Sequence, residues 1–294
     1  MLAKTEPNPV IRSREITGAD FLDMAAFFGR GLGYPAWAYF HIFELLRDHA
    51  TPEGYPKYGY ILEANGSIVG GIILIFSSVG CGDKKSVRCQ LTAWYVEPAY
   101  RTYSTIFTSK ALRFKDVTYV NLTARPAARP IVEAQGFLKY SKGQFVAIPA
   151  LNLLLSRGQK AKGVKADAAP EGVYDAYERK LLLDHQKYGN ICFWCLTASD
   201  AFPFVFKPRI VKHVIPAVQL VYCRDIQDLA RFARPIALHL ASHGRFFVFA
   251  DANEAIAGLI GHYFDGMYPR WYKGPKPRLG DLAYTLPALF PASG

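Results

Sequence analysis

Cysteine is scarce in this chain. There are five in 294 residues, an odd number, too few for a small disulfide scaffold. Long apolar runs are missing too. The longest lies near Ile68–Phe76, contains two glycines and falls far short of the roughly 18 residues that a membrane span needs. The opening MLAKTEPNPVIRSREITG lacks the apolar stretch of a secretion signal, so the expected location is the cytoplasm. Glycine (24) and proline (19) are too few for a linker-like or collagen-like chain. No end of the chain is a charged tail: residues 1–155 hold 17 basic and 12 acidic residues, and residues 156–294 hold 18 and 12.

What is present is a globular composition. Hydrophobic residues make up 51% and charged residues 20%, which excludes wholesale disorder. The length is that of about two domains or one large one. The net charge of +11 favours anionic partners such as nucleic acid, a membrane surface or a phosphorylated ligand, or serves solubility alone.

Around residues 156–172 the text changes to SRGQKAKGVKADAAPEG, poor in large apolar residues and rich in Lys, Ala and Gly. It reads as a linker or exposed loop between a first domain, 1–155, and a second, 173–294. In the first, Thr17 and Asp20 fit a capping box, and Phe21, Leu22, Ala25 and Phe28 recur at helical spacing. A helix over about 36–49 follows. Two strand-like runs joined by Asn65-Gly66 predict a type I′ hairpin. A strand (about 86–96), a helix (about 104–114), a strand (117–123), a short helix (about 128–135) and a hairpin-like stretch (137–149) complete the half. The second domain starts with a helix over about 173–188. The strands ICFWCLTA and VIPAVQLVYC follow, with an aromatic FPFVF segment between them. Asp225 then caps a helix with Ile226, Leu229, Ala233, Ile236 and Leu240 on one face. The next strand is RFFVFADAN. Gln90-Leu91 and Gln219-Leu220 fall in corresponding strands. The expected fold class is α/β (α+β): a mixed, twisted, mostly antiparallel sheet flanked by helices, in two tandem units.

The stretch TAWYVEPAYRTYSTIFTSKAL, with DVTYVNLTA and IVEAQGFLKYS after it, resembles the GNAT N-acetyltransferase superfamily over about residues 12–150. The matches are Val96-Glu97-Pro98-Ala99-Tyr100-Arg101 and Gly136-Phe137. The resemblance implies an acyl-CoA N-acyltransferase-like fold and acyl transfer, most simply of acetyl from acetyl-CoA to an amine of a small molecule or peptide. It also implies a donor site at Tyr95, Val96, Arg101, Thr102, Tyr103, Ser104, Thr105 and Ile106. The physics of such a loop is general: a helix start offers unpaired N–H groups and a positive dipole end to a pyrophosphate. Two departures stand out. Ser104 and Ile106 occupy positions where the family has glycine and glycine or alanine. Val132 occupies the position of a tyrosine that, in many members, protonates the departing thiolate. No catalytic residue is assigned. Glu97 is the nearest carboxylate, and Gln90, Thr92 and Trp94 share one strand face by alternation. Two other readings stand: a transferase drawing on aminoacyl-tRNA, and a binding or regulatory protein that has lost catalysis.

Other constellations read as structural. Cys192 and Cys195 form a CxxC in an apolar strand, which favours buried thiols over a redox pair or zinc. His239 and His243 are one helical turn apart without a third ligand, so no metal is expected. MYPRWYKGPKPRLGDLAYT interleaves cations with aromatics, fitting a covering hairpin more simply than a base-stacking surface.

Overall fold

A computed structural model describes residues 9–80, 85–155, 161–168 and 172–285. The chain divides into two compact units, Met1–Ser78 with Ser86–Val120, and Val79–Lys85 with Asn121–Gly294. Among the described residues, no helix is long and apolar enough to cross a membrane.

The first unit contains β1 (Ile11–Glu15), α1 (Phe21–Leu32), α2 (Ala36–Asp48), β2 (Gly59–Ala64), β3 (Ser67–Val79), β4 (Ser86–Val96), α3 (Ser104–Ala111) and β5 (Val117–Asn121). Its sheet order is β1-β2-β3-β4-β5. β1/β2 and β2/β3 are antiparallel, and β4/β5 is parallel. The β2–β3 turn has Asn65 at φ 50° and Gly66 at φ 81°, the positive pair that a type I′ turn requires. Thr17 and Asp20 are bonded as expected, the Thr17 N–H donating to Asp20 Oδ2 at 2.8 Å. Arg14 also grips Asp20 through two nitrogens at 2.8 Å, which holds that carboxyl down at about 2. In α1 the buried residues are Phe21, Met24, Ala25, Phe27 and Phe28, while Leu22 is 73% exposed. The helix phase therefore turns Met24 inward in place of Leu22.

The second unit contains α4 (Arg129–Ala134), β6 (Leu138–Ala147), β7 (Lys162–Lys165), α5 (Ala176–Lys187), β8 (Ile191–Leu196), β9 (Ala201–Val211), β10 (Ile215–Tyr222), α6 (Asp228–Arg231), α7 (Ala233–Ala241), β11 (Phe247–Ala252) and β12 (Gly261–Lys273). Its sheet order is β12-β6-β11-β10-β9-β8-β7. β10/β11 is parallel, and the other pairs are antiparallel. One core on this sheet joins Phe193, Phe204, Phe206, Val218 and Val248 to Phe232, Ile236 and Leu240 of the α6–α7 segment. Another joins Leu181 and Leu182 of α5 to Trp194, Val205 and Val221.

Both units follow one order of elements: strand, helix or helices, three strands, crossover, then a parallel strand. The overall class is the expected mixed, mostly antiparallel sheet with flanking helices.

Three local expectations are corrected. Residues 137–149 do not form a hairpin. They hold the single strand β6, which lies between β11 and β12. Gly143 sits mid-strand opposite Asp265. A Cβ there would lie 2.1 Å from the Phe264 carbonyl oxygen, so the glycine serves a close backbone approach. Next, the helix expected over 226–240 is two helices broken at Phe232 (φ −111°, ψ 24°). The break puts Pro235 in the first turn of α7, where its missing N–H costs no helical bond. Last, the stretch 156–172, expected as a linker or exposed loop, contains β7, paired to β8 from Lys162↔Leu196 to Lys165↔Phe193. As the last strand of the order, it carries lysines of the kind that discourage edge-to-edge pairing. Residues 156–160 and 169–171 of that stretch, and Cys81, lie outside the described residues.

Gly143→Ala should push β6 from β12 and cost about 1–3 kcal/mol, read as a lower urea midpoint. An unchanged midpoint would show that the strands do not approach so closely.

Candidate functional site

The expected site lies where β4 leaves its parallel partner. Registered pairs run from Val87↔Val117 to Gln90↔Val120, and β4 then continues to Val96. Ala93 has φ 46°, a left-handed conformation uncommon for a residue with a Cβ. Strict alternation stops there, and Ala93, Trp94 and Tyr95 are all half-buried in succession. The one-face set Gln90, Thr92 and Trp94 is thereby limited to its first two members, which are buried. At the strand end the Glu97 N–H donates to Val69 O at 2.9 Å, tying the exit from β4 to β3.

The segment after β4 is helical earlier than its sequence suggests. A 3-10 helix over Pro98–Tyr103 runs directly into α3. The Tyr100 N–H donates to Glu97 O, and the Ser104 N–H donates to Arg101 O. The amide at Ser104 is thus already used by the preceding turn and is not open to a phosphate. Phe107 and Ala111 bury the inner face of α3. Ile106 is 41% exposed, so its branched side chain faces outward and not into the core.

The predicted donor-site residues are close together in the chain and divide by exposure. Val96 is buried, Tyr95, Tyr103 and Ser104 are half-buried, and Arg101, Thr102, Thr105 and Ile106 are exposed. Arg101 has no ion-pair or hydrogen-bond partner among the described residues. Its guanidinium and the hydroxyls of Thr102 and Thr105 form a surface set of donors able to meet anionic oxygens.

One contact at this site is hidden in the sequence. Tyr95 packs against α1, its ring 5.4 Å from that of Phe27. A Cβ on Gly31 would stand 2.2 Å from the Tyr95 ring. Glycine at 31 therefore sets how near α1 comes to the end of β4. The signal available was the run Gly29-Arg30-Gly31-Leu32-Gly33 within and just after a helix, where glycine is otherwise costly. Gly29 comes near the α2 backbone less tightly, its virtual Cβ 3.3 Å from Ala36 N and Cα. At the α1–α2 junction Tyr34 and Trp37 are exposed, at 61% and 70%.

The remaining candidates are structural. Val132 is 1% exposed and carries no proton. Gly136, at φ 82°, ends α4, with its N–H on Glu133 O. Cys192 and Cys195 are buried in separate cores, because an odd spacing on a strand sends side chains to opposite faces. Burial raises both thiols. His239 stacks on Phe193 with centroids 4.0 Å apart, and burial lowers it to about 4. His243 meets the His239 carbonyl oxygen at 2.9 Å. In the basic aromatic stretch, Lys273 bonds Gln135 O at 2.7 Å, Trp271 bonds Glu133 at 3.2 Å, and Arg278 lies over the Tyr222 ring at 5.3 Å. These groups hold the second unit together.

No family model matches the sequence, and no curated protein matches it. Solved structures do. A GCN5-related N-acetyltransferase from Anabaena variabilis superposes with TM-score 0.54 at 8% identity, covering 90% of this chain and 72% of that one. An acetyltransferase candidate from Pyrococcus horikoshii gives 0.51 at 13% identity, covering 93% of both chains. A GCN5-related N-acetyltransferase from Kribbella flavida gives 0.50 at 14% identity, covering 90% and 71%. The likeness is one of fold.

Gly31→Ala should destabilise the chain by about 1–3 kcal/mol through overpacking. The cost should shrink in a Tyr95→Ala background, a coupling that a double-mutant cycle reads. Equal costs in both backgrounds would place the effect elsewhere.

Proposed function

Given the fold of the GNAT N-acetyltransferases, we propose that this chain is an acyl-CoA-dependent N-acyltransferase whose donor site is the β4 end and α3 start of the first unit. The observation that carries the reading is the outrunning of β5 by β4. The parallel pairs stop at Gln90, Ala93 kinks the strand, and the remaining stretch leads straight into the Arg101 segment. The departure of a partner strand leaves main-chain groups that an extended acyl–pantetheine arm can pair with, in the manner of an added strand.

In this reading the backbone at Tyr95 and Val96 meets the arm and polarises the thioester carbonyl. The pyrophosphate is held by side chains. Arg101 supplies the guanidinium, and Thr102, Ser104 and Thr105 supply hydroxyls. Tyr103 and the outward Ile106 offer flanking surface. This arrangement replaces an amide cradle of the usual glycine-rich kind, because the Ser104 amide is engaged.

The chemistry follows from placement of the two reactants. A neutral amine attacks the thioester carbonyl carbon. The C–N bond forms, the C–S bond breaks, the amine proton passes to water or a base, and the thiolate leaves. Val132 supplies no acid, so the thiolate takes its proton from solvent. The acceptor is an amine of a small molecule or peptide. The buried valine also favours a second reading, a chain that binds acyl-CoA without turning it over.

Acetyl-CoA should raise the melting temperature and bind in the micromolar range. Arg101→Ala should weaken binding by about tenfold or more, since a charge-assisted bond contributes about 1.5–3 kcal/mol. No melting shift at millimolar acetyl-CoA would overturn the donor assignment. Thiol release with pooled amines separates the two readings, since only the transferase turns over.

The pH profile of thiol release should rise as the amine loses its proton and then stay level. A descending alkaline limb would reveal a protein acid and contradict solvent protonation.

A further inference from the structure

The end of the second unit where β9 turns into β10 carries an exposed tip that acyl transfer at β4 does not use. The pairing of β9 with β8 ends at Phe206↔Ile191, whereas its pairing with β10 runs on to Val211↔Ile215. The parallel pairing of β10 with β11 starts only at Ala217↔Phe247. The outer part of the β9–β10 hairpin thus extends beyond its pairing with both neighbouring strands. Phe246, just before β11, lies level with the start of β10. Arg245 Nη1 donates to Arg209 O at 3.2 Å, which ties the approach to β11 to the hairpin.

The turn itself is tight. The Val214 N–H donates to Val211 O at 3.2 Å, and Lys212 and His213 stand at φ 50° and 64°. Residues with a Cβ seldom adopt that region, and neither is the glycine or asparagine that such turns prefer. Backbone strain of this kind gathers at functional segments.

The tip displays apolar side chains. Val214 is 75% exposed, Phe246 50% and Ile215 36%. Single exposed apolar residues are ordinary, but neighbouring ones form a patch. The charge beside the patch has one sign. Lys212 and His213 are exposed next to Val214, and Arg245 is half-buried next to Phe246. No Asp or Glu occurs between Asp200 and Asp225 or between Asp228 and Asp251, so the two segments that build the tip contain no carboxylate. Lys212 has no hydrogen-bond or ion-pair partner among the described residues.

This combination selects the partner. A second copy of the tip would set Lys212 and Arg245 against their own duplicates, and like charges oppose such a contact. A nucleic acid would meet the cations, but Val214 and Ile215 offer no ring for a base to stack on. A lipid surface with anionic headgroups meets both parts: the cations face the phosphates, and the apolar side chains enter the boundary of the acyl chains. We propose that the β9–β10 tip, with Phe246 beside it, seats this chain on an anionic membrane surface. The inference goes beyond the acyltransferase reading and stands without it.

The test is co-sedimentation of the full-length chain with sucrose-loaded vesicles, made of phosphatidylcholine alone or of equal parts phosphatidylcholine and phosphatidylglycerol. The chain should pellet with the mixed vesicles and stay in solution with phosphatidylcholine alone. A net charge of +11 favours adsorption to anionic surfaces without any tip, so the apolar variants decide. Val214→Ser combined with Phe246→Ser should weaken partitioning about tenfold or more, and Lys212→Gln about fivefold. Leu22→Ser removes an exposed apolar side chain of the first unit and should leave partitioning unchanged. All these side chains are exposed, so the melting temperatures should hold. Absence of pelleting with the mixed vesicles overturns the proposal, and so does undiminished partitioning of the double variant. Equal pelleting with phosphatidylcholine alone overturns the requirement for anionic lipid. An equal loss in Leu22→Ser overturns the placement at the tip. Release from the mixed vesicles by double-stranded DNA that the double variant binds more weakly would assign the tip to nucleic acid instead.

Discussion

Parallel strands cannot be joined by a tight turn, and that constraint organises each unit of this protein. The chain must leave the sheet, form a helix and come back, so the strand before the crossover and the strand after it need not match in length. In the first unit β4 outruns its pairing with β5 by six residues, Leu91–Val96. In the second, β10 pairs with β11 only from Ala217 to Gln219 and then runs on to Tyr222. Each parallel ladder closes on a glutamine followed by leucine. Each long strand also loses regularity just beyond, at Ala93 in β4 and between Leu220 and Tyr222 in β10. The antiparallel strands, the helices and their cores position these two strand ends.

The same scaffold is finished differently in the two units. In the first, Arg101, Thr102 and Thr105 after the strand end are exposed, and Arg101 has no partner among the described residues. In the second, the glutamine is enclosed. Gln219 accepts from Gln144 and Arg209, and the end of β10 is tied to the segment around Gly280, with Cys223 N–H on Gly280 O at 2.8 Å. Arg224 there is spent on Glu178 and Asp200. Equivalent strand ends thus serve unequal ends: one leads into a surface donor set, and the other anchors a buried network.

The features legible in the sequence were those fixed by neighbouring residues. Asn65-Gly66 dictated its turn because both positions need positive φ. The capping pair Thr17 and Asp20 marked its helix start, and the echo of Gln90-Leu91 in Gln219-Leu220 marked the matching strands. The missed features depend on residues far apart in the chain. Gly143 and Gly31 are each required by a close approach to a distant partner, Phe264 in one case and Tyr95 in the other. The hydrogen-bonded network of Gln144, Arg209, Gln219, Asp251 and Arg270 draws on five strands, so no window of sequence contains it. At the segment proposed to hold the donor, residue types were readable, but the 3-10 helix that occupies the Ser104 amide was not, because backbone hydrogen bonding leaves no mark in composition.

These differences bear on how the positive charge is used. The near-equal excess of basic residues in the two halves suggested no dedicated arm. In the second unit, Lys273 and Arg278 donate to main-chain carbonyls, and Arg224 is held by carboxylates. Those cations close turns and hold helices, and they are not available to a partner. Arg101 in the first unit and Lys212 in the second are different. Both are exposed, and neither has a counter-charge or hydrogen-bond partner among the described residues. Water solvates an exposed cation, so leaving it unpaired costs the fold little, and it stays open to an anion. Net charge therefore says little about partners until the internally paired cations are set aside.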